Sequence, residues 1–259
     1  MKTLTHYPLL VFIISFLTLW VAALIGRFTL RGKQKQDKDA RDDFSIILAG
    51  ALTLLGIIIG FSFSMATDRY DQRKSLEENE ANAISTEYVR LDLLPALTAN
   101  KAKPLLRTYL DKRLEFYTQN TDSQLQQTLN QTEQLQNQLW AAILPSPDSQ
   151  PNAVIALTVS GMNDVLNSQS YAQAMYWNRI PISAWCLVLL IAIGCNLLVG
   201  YGSRSATSGS RLLPILPVLV ATALTFIADL DAPRHGLIRV VPQNLLSLQS
   251  SLNPVAAHK

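Results

Sequence analysis

The chain has 259 residues, with 22 Lys+Arg set against 19 Asp+Glu for a net charge of +3, three His and two Cys. A balance so near neutrality, with no Lys/Arg run and no basic stripe interleaved with aromatics, argues against a nucleic-acid partner. Four stretches without a single Asp, Glu, Lys or Arg, residues 7–26, 44–67, 180–203 and 212–228, argue against a soluble globular enzyme, because each approaches or exceeds the roughly 20 apolar residues with which an α-helix crosses about 30 Å of hydrocarbon.

The first stretch predicts a retained membrane helix. Its charge-free length exceeds the roughly 7 to 15 residues of a signal-peptide core, and Arg27, Arg31, Lys33 and Lys35 follow it in stop-transfer fashion. The second, FSIILAGALTLLGIIIGFSFSMAT, runs without a proline into TDRYDQRKSLEENEANAISTEYVRLDLL, which predicts one long helix leaving the membrane. Gly56 and Gly60 form a GxxxG element suited to close helix packing. Thr53, Ile57, Phe61 and Ser64 recur at steps of four, four and three and so share one helix face. Bulky apolar side chains between hydroxyls suit a pore lining that gates by dewetting, although periodicity alone favours a lipid-facing or core stripe. Just below lie Asp68, Arg69, Asp71, Arg73 and Lys74, then Glu77, Glu78 and Glu80. Local pairing and interfacial snorkelling explain much of that cluster; an ion vestibule, or a hinge between membrane helix and soluble domain, is the functional alternative for Arg69, Asp71 and Arg73.

Residues 68–179 are polar with helical periodicity. One helix is expected to end near Leu91, Leu94 and Leu97, at Pro95 and Asn100, and Pro104 is expected in the first turn of the next. A segment with eight Gln between Gln119 and Gln138 carries Leu125, Leu129, Thr132, Leu135 and Leu139 on one face. An amphipathic helix packed on its neighbours is the preferred reading over a coiled-coil seam. Pro145, Pro147 and Pro151 break the chain. A last soluble helix, from about Asn152 to Trp177, leads through Arg179-Ile180-Pro181 into the third span. No strand-like alternation of useful length appears, so the class is all-α: four transmembrane helices with a helical domain inserted between the second and third. The divisions are 1–67, a first helix pair; 68–179, the helical domain; 180–228, a second helix pair; and 229–259, a post-membrane segment.

Basic residues do not orient this array, since eight flank the spans on one side and seven on the other. Four spans do place both termini and the inserted domain together. There is no GxSxG, HExxH, P-loop or CxxC, and His6, His235 and His258 are scattered. Cys186 and Cys195 lie in a span with no His beside them, so no enzyme activity, cofactor or metal is expected. Beyond the fourth span, Asp229 and Asp231 precede Pro233 and Gly236. A turn at a membrane exit is one reading and a cation-binding or subunit-contact loop the other, two carboxylates being fewer than the six to eight oxygens Ca²⁺ takes.

The run GFSFSMATDRYDQRKSLEENEANAISTEYVRLDLLP from Gly60 to Pro95, with RIP before the third span and LDAPRHGLIRV after the fourth, resembles the bestrophin-like family of bacterial membrane proteins. More distantly, Asp68-Arg69-Tyr70-Asp71-Gln72-Arg73 is similar to the corresponding element of true bestrophins. Bestrophins are pentameric chloride-selective channels whose second span lines a hydrophobic neck. The resemblance therefore implies a homo-oligomer, a pentamer, in the bacterial inner membrane, conducting small anions, with termini and inserted domain in the cytoplasm. It places the neck on Thr53, Ile57 and Phe61, with Thr53 standing where an apolar residue is expected. Asp229 and Asp231 stand where the animal channels carry a fuller acidic, Ca²⁺-binding cluster. Partners would then be the lipid bilayer, small anions and further copies of the chain. A non-conducting membrane scaffold or sensor, whose cytoplasmic helical domain binds a partner, is the alternative.

Overall fold

The computed structural model describes residues 8–28, 38–119, 121–144, 152–203, 212–234 and 236–253. His6, His235, His258, the basic loop after Phe28 and the breaks expected at Pro145, Pro147 and Pro151 lie outside the described residues. Every regular element among those described is helical: α1 (Pro8–Phe28), α2 (Lys38–Arg90), α3 (Ala96–Thr118), α4 (Asp122–Ile143), α5 (Ala153–Trp177), α6 (Ile182–Gly202), α7 (Ile215–Asp231) and α8 (Gln243–Leu252), with a 3₁₀ turn at Leu91–Leu93. The chain divides into two compact units, Met1–Arg69 with Arg179–Arg239, and Tyr70–Asn178 with Val240–Lys259. The post-membrane segment expected as one piece, 229–259, is thus shared between them.

In the first unit, α1 lies against α6 and α7. Leu19, Leu55, Val188, Ala192, Cys195, Val220 and Leu224 form the core, and Cys195 Sγ lies 3.3 Å from the Ala51 carbonyl. Among the described residues, three helices are long and apolar enough to cross a membrane: α1, α2 in its charge-free part, and the run that ends in α6. At about 1.5 Å per residue, the 17 residues of α7 span roughly 26 Å, less than the hydrocarbon thickness. It starts later than the charge-free stretch, after Pro214, and runs past Ala228 to Asp231. Two carboxylates inside a last helical turn are tolerated because backbone N–H groups satisfy both, as described below.

In the second unit, the polar half of α2 packs with α3, α4, α5 and α8 around Ile84, Leu91, Leu106, Tyr109, Leu139, Met162 and Leu245. Leu139 and Thr132 of α4 are buried and Leu125, Leu129 and Leu135 half-buried, an amphipathic helix laid on its neighbours. The start of α3 corrects the expectation for Pro104. The helix begins at Ala96 with Pro95 as its N-cap, and Pro104 lies inside it. An interior proline costs about 3 kcal/mol. The buried stripe Ala99, Ala102, Leu106, Tyr109, Leu110 and Leu114 continues across that position, and its burial carries the helix through. Leu97, expected at the end of the preceding helix, is 86% exposed in the first turn of α3.

Two acidic residues of the cluster below the second span are interior. Arg113 makes a two-pronged ion pair with Glu80, both fully buried, and Tyr117 Oη donates to Glu80 Oε2 at 2.8 Å. Phe116, Tyr117 and Tyr176 surround the pair edge to face, with centroids 5.1 to 5.5 Å apart. Burial lowers the proton affinity of Arg113, but the charge of Glu80 beside it more than compensates and holds it raised. Glu77 accepts from the Leu245 N–H at 2.9 Å and the Asn244 side chain at 2.7 Å, capping the N-terminus of α8.

Candidate pore-lining face and membrane-exit cluster

Between Phe44 and Thr67 α2 has no charge and no proline, so its outline is a cylinder whose faces differ only in side-chain size. One face is used inside the chain. Leu55 and Ala66 are buried, and Ala51, Leu52, Ile58 and Ile59 lie half-buried against the core of α6 and α7. The other is bare: Thr53 and Ser64 are exposed, Ile57 is 50% exposed and Phe61 70%. Only 6% of the apolar window of α2 is buried within the chain, against 28% for α1, which makes α2 the least covered of the apolar helices compared. The Thr53 hydroxyl donates to the Ala49 carbonyl at 2.8 Å, so the face it presents is an oxygen acceptor and a methyl group.

Gly56 and Gly60 do not serve packing among the described residues, because a Cβ built at either meets none of their atoms within 4 Å. The close approach lies elsewhere. A Cβ at Gly26 would fall 2.9 Å from the Leu197 carbonyl carbon with its oxygen nearer, and one at Gly200 2.8 Å from that of Ala23. Glycine thus lets α1 and α6 meet backbone to backbone. The sequence signal for it was Ala22-x-x-x-Gly26, a small-x-x-x-small element.

At the end of the apolar run three short elements converge. Arg69 Nη1 lies 3.3 Å from Asp231 Oδ1, and the Ile180 N–H donates to the same carboxylate at 3.0 and 3.2 Å. Asp231 therefore joins the middle of α2, the entry to α6 and the end of α7. Two residues earlier, Asp229 accepts from the N–H groups of Leu237 and Ile238 at 2.8 and 2.9 Å. Gly236 is required there, since a Cβ would reach within 3.1 Å of the Asp229 carboxyl carbon. Both aspartates thus organise the turn that leaves α7, and no group of three or more His, Cys, Asp or Glu with metal-binding geometry occurs among the described residues.

Arg73, in the second unit, is 2% exposed and donates to the carbonyls of Met175 and Asn178 at 3.5 and 3.4 Å. Of the residues read as a vestibule, Arg69 and Arg73 hold backbone and carboxylate partners, and Asp71 is exposed. In this arrangement Arg73 offers no free charge to an ion. No periodicity announces this, because the partners of Arg69 and Arg73 lie 162 and 102–105 residues away.

The Bestrophin-like domain model matches residues 12–245. Among solved structures, a bacterial bestrophin homologue from Klebsiella pneumoniae is similar at 10% identity with a TM-score of 0.66, covering 98% of this chain and 100% of that one. A point variant of the Klebsiella pneumoniae homologue is similar at 13% identity and TM-score 0.64, covering 95% and 99%. A structure described only as a membrane protein variant is similar at 12% identity and TM-score 0.67, covering 95% and 99%. A comparison with curated proteins finds no match.

Proposed function

The chain belongs to the bestrophin-like family, and on that premise we propose that it is a homo-oligomeric channel for small anions in the bacterial inner membrane, with α2 lining the pore. The observation that carries this reading is the bare face of α2. A membrane helix with Thr53, Ile57, Phe61 and Ser64 uncovered, and only 6% of its apolar window buried, gains cover when several copies form a ring around it. The charge-free run from Phe44 to Thr67 offers no carboxylate to hold a cation, and an apolar constriction at Ile57 and Phe61 gates by dewetting. In this reading α7 is the fourth span, the ring is a pentamer, Gly56 and Gly60 accept a neighbouring subunit, and the second unit is cytoplasmic. Asp229 and Asp231 brace the membrane exit and remain near a subunit contact.

The test is chloride efflux from liposomes holding the purified protein, with the subunit count from native mass. Efflux from a ring-sized oligomer that rises in Ile57→Ala and Phe61→Ala supports the proposal. Absence of efflux from a monomer or dimer refutes it.

A second reading, a scaffold whose soluble unit binds a partner, rests on one observation. Gln126, Asn130, Glu133 and Gln136 of α4 face Gln169, Gln173 and Trp177 of α5 across a cavity of about 440 Å³. Loss of a co-purifying partner on Gln136→Leu with Trp177→Ala, from a protein that shows no efflux, would support it.

A further inference from the structure

Glu87 lies on the polar half of α2 and is fully buried, yet neither carboxylate oxygen has a hydrogen-bond partner. Almost every buried carboxyl in a folded protein is paired or bonded, because an isolated charge away from water is expensive. The site is closed on one side by Gly161 of α5. A Cβ there would overlap Glu87 Oε2 and approach Arg90, whose Cδ would be 3.2 Å away. Glycine at 161 is therefore what lets α5 sit on this carboxyl. The charged groups that act on Glu87 are Arg90, nearly one turn along α2, and Asp164, nearly one turn along α5 from Gly161. Arg90 is near enough to attract the carboxylate but makes no ion pair with it, and Asp164 repels it.

We propose that Glu87 is a proton-binding site at the α2–α5 seam, neutral when the seam is closed, and that its ionisation draws in Arg90 and water and loosens α5 from α2. The two states differ by one proton: the carboxyl O–H breaks, the proton leaves to solvent and the carboxylate gains a charge-assisted partner. Burial, together with the repulsion from Asp164 and against the pull of Arg90, pushes the acid up from 4.5 to about 8, which puts the change just above neutrality. No other part of the fold is called on. The feature is local to the second unit, on the helix that also bears Ile57 and Phe61.

Two measurements on the full-length protein in nanodiscs test it. Infrared titration is expected to show a protonated carboxylic C=O band at pH 6.5 that disappears by pH 9 and is missing in Glu87→Gln. Hydrogen exchange of residues 153–177, corrected for the intrinsic pH dependence, is expected to speed up between pH 6.5 and 9. If opening fully hydrates the carboxyl, linkage between its buried and free values gives about thirtyfold. Glu87→Gln removes that acceleration. Arg90→Met leaves the band and moves its midpoint upward, which a purely structural role for Arg90 does not do. An ionised Glu87 at pH 6.5, or exchange in α5 that is equally pH-sensitive in Glu87→Gln, overturns the proposal. The wild-type infrared titration stands even if a variant fails to fold.

Discussion

Four glycines of the membrane helices separate contacts made within the chain from those made outside it. Gly26→Ala and Gly200→Ala each place a methyl group against a carbonyl of the facing helix, with the carbonyl carbons at 2.9 and 2.8 Å and the Cα atoms at 3.1 Å. Backbone cannot rotate away as a side chain does, so α1 and α6 must separate by roughly an ångström to restore contact. Overpacking of this kind costs about 1 to 3 kcal/mol. The helix-propensity gain from Gly to Ala returns at most about 1 kcal/mol, so a net loss of up to about 2 kcal/mol is expected for each. The double variant should lose less than the sum, because one separation relieves both overlaps. Gly56→Ala and Gly60→Ala meet nothing within 4 Å and should leave the fold of the single chain unharmed, while weakening the oligomer if a neighbouring subunit seats there. Cys195, 1% exposed, reports the unfolding: in a Cys186→Ser background, a thiol-reactive dye labels it only once α6 leaves the core. Equal labelling curves for wild type, Gly26→Ala and Gly200→Ala would show that the helices do not meet backbone to backbone.

Other consequences follow from the buried charges. Glu80→Gln leaves Arg113 charged and without its counterion in a fully buried site, and a loss of about 3 to 5 kcal/mol in denaturant titration is expected; Glu80→Gln paired with Arg113→Met should recover much of it. Asp231→Asn weakens the bond to Arg69 and the acceptor for the Ile180 N–H, for about 2 kcal/mol, and should appear as faster exchange at Ile180 and around Arg69. Glu77→Ala uncaps α8 at a cost of about 1 kcal/mol, seen as proteolysis near Asn244 well before global unfolding. The stability of the second unit should fall as pH rises from 4.5 towards 8, since there the folded chain keeps the Glu87 proton that the unfolded chain gives up. At about 1.4 kcal/mol per pH unit for one proton the fall is on the order of 4 kcal/mol, flattening above pH 8. Unchanged pH dependence in Glu87→Gln would assign it to another group.

Helix formation is local, and what depends on it was legible in the residues. The charge-free runs mark α1, the first half of α2, α6 and most of α7. The absence of proline from Phe44 to Leu94 makes α2 a single rod, and steps of four, four and three set Thr53, Ile57, Phe61 and Ser64 on one face whatever surrounds them. Seven of the eight Gln, with leucines at helical spacing, became α4, and Gln119 caps the end of α3. Even the motifs that carried the family resemblance were readable as strings.

Which partners those residues meet was settled by contacts between distant residues, for which periodicity has no signal. Asp231 and the Ile180 N–H are 51 residues apart, and Glu80 and Arg113 are 33 apart; each pair meets only because separate helices bring it together. Gly26 and Gly200 are the close contact, whereas the GxxxG of α2 faces open space, since small size permits an approach without choosing the partner. Pro104 lies within α3 because a buried stripe outweighs a local penalty that the residue alone announces. The sequence establishes where helices run because their hydrogen bonds close within four residues. Only the tertiary structure decides which faces are buried and which acids lose their water, because burial belongs to the assembled packing and not to any segment of the chain.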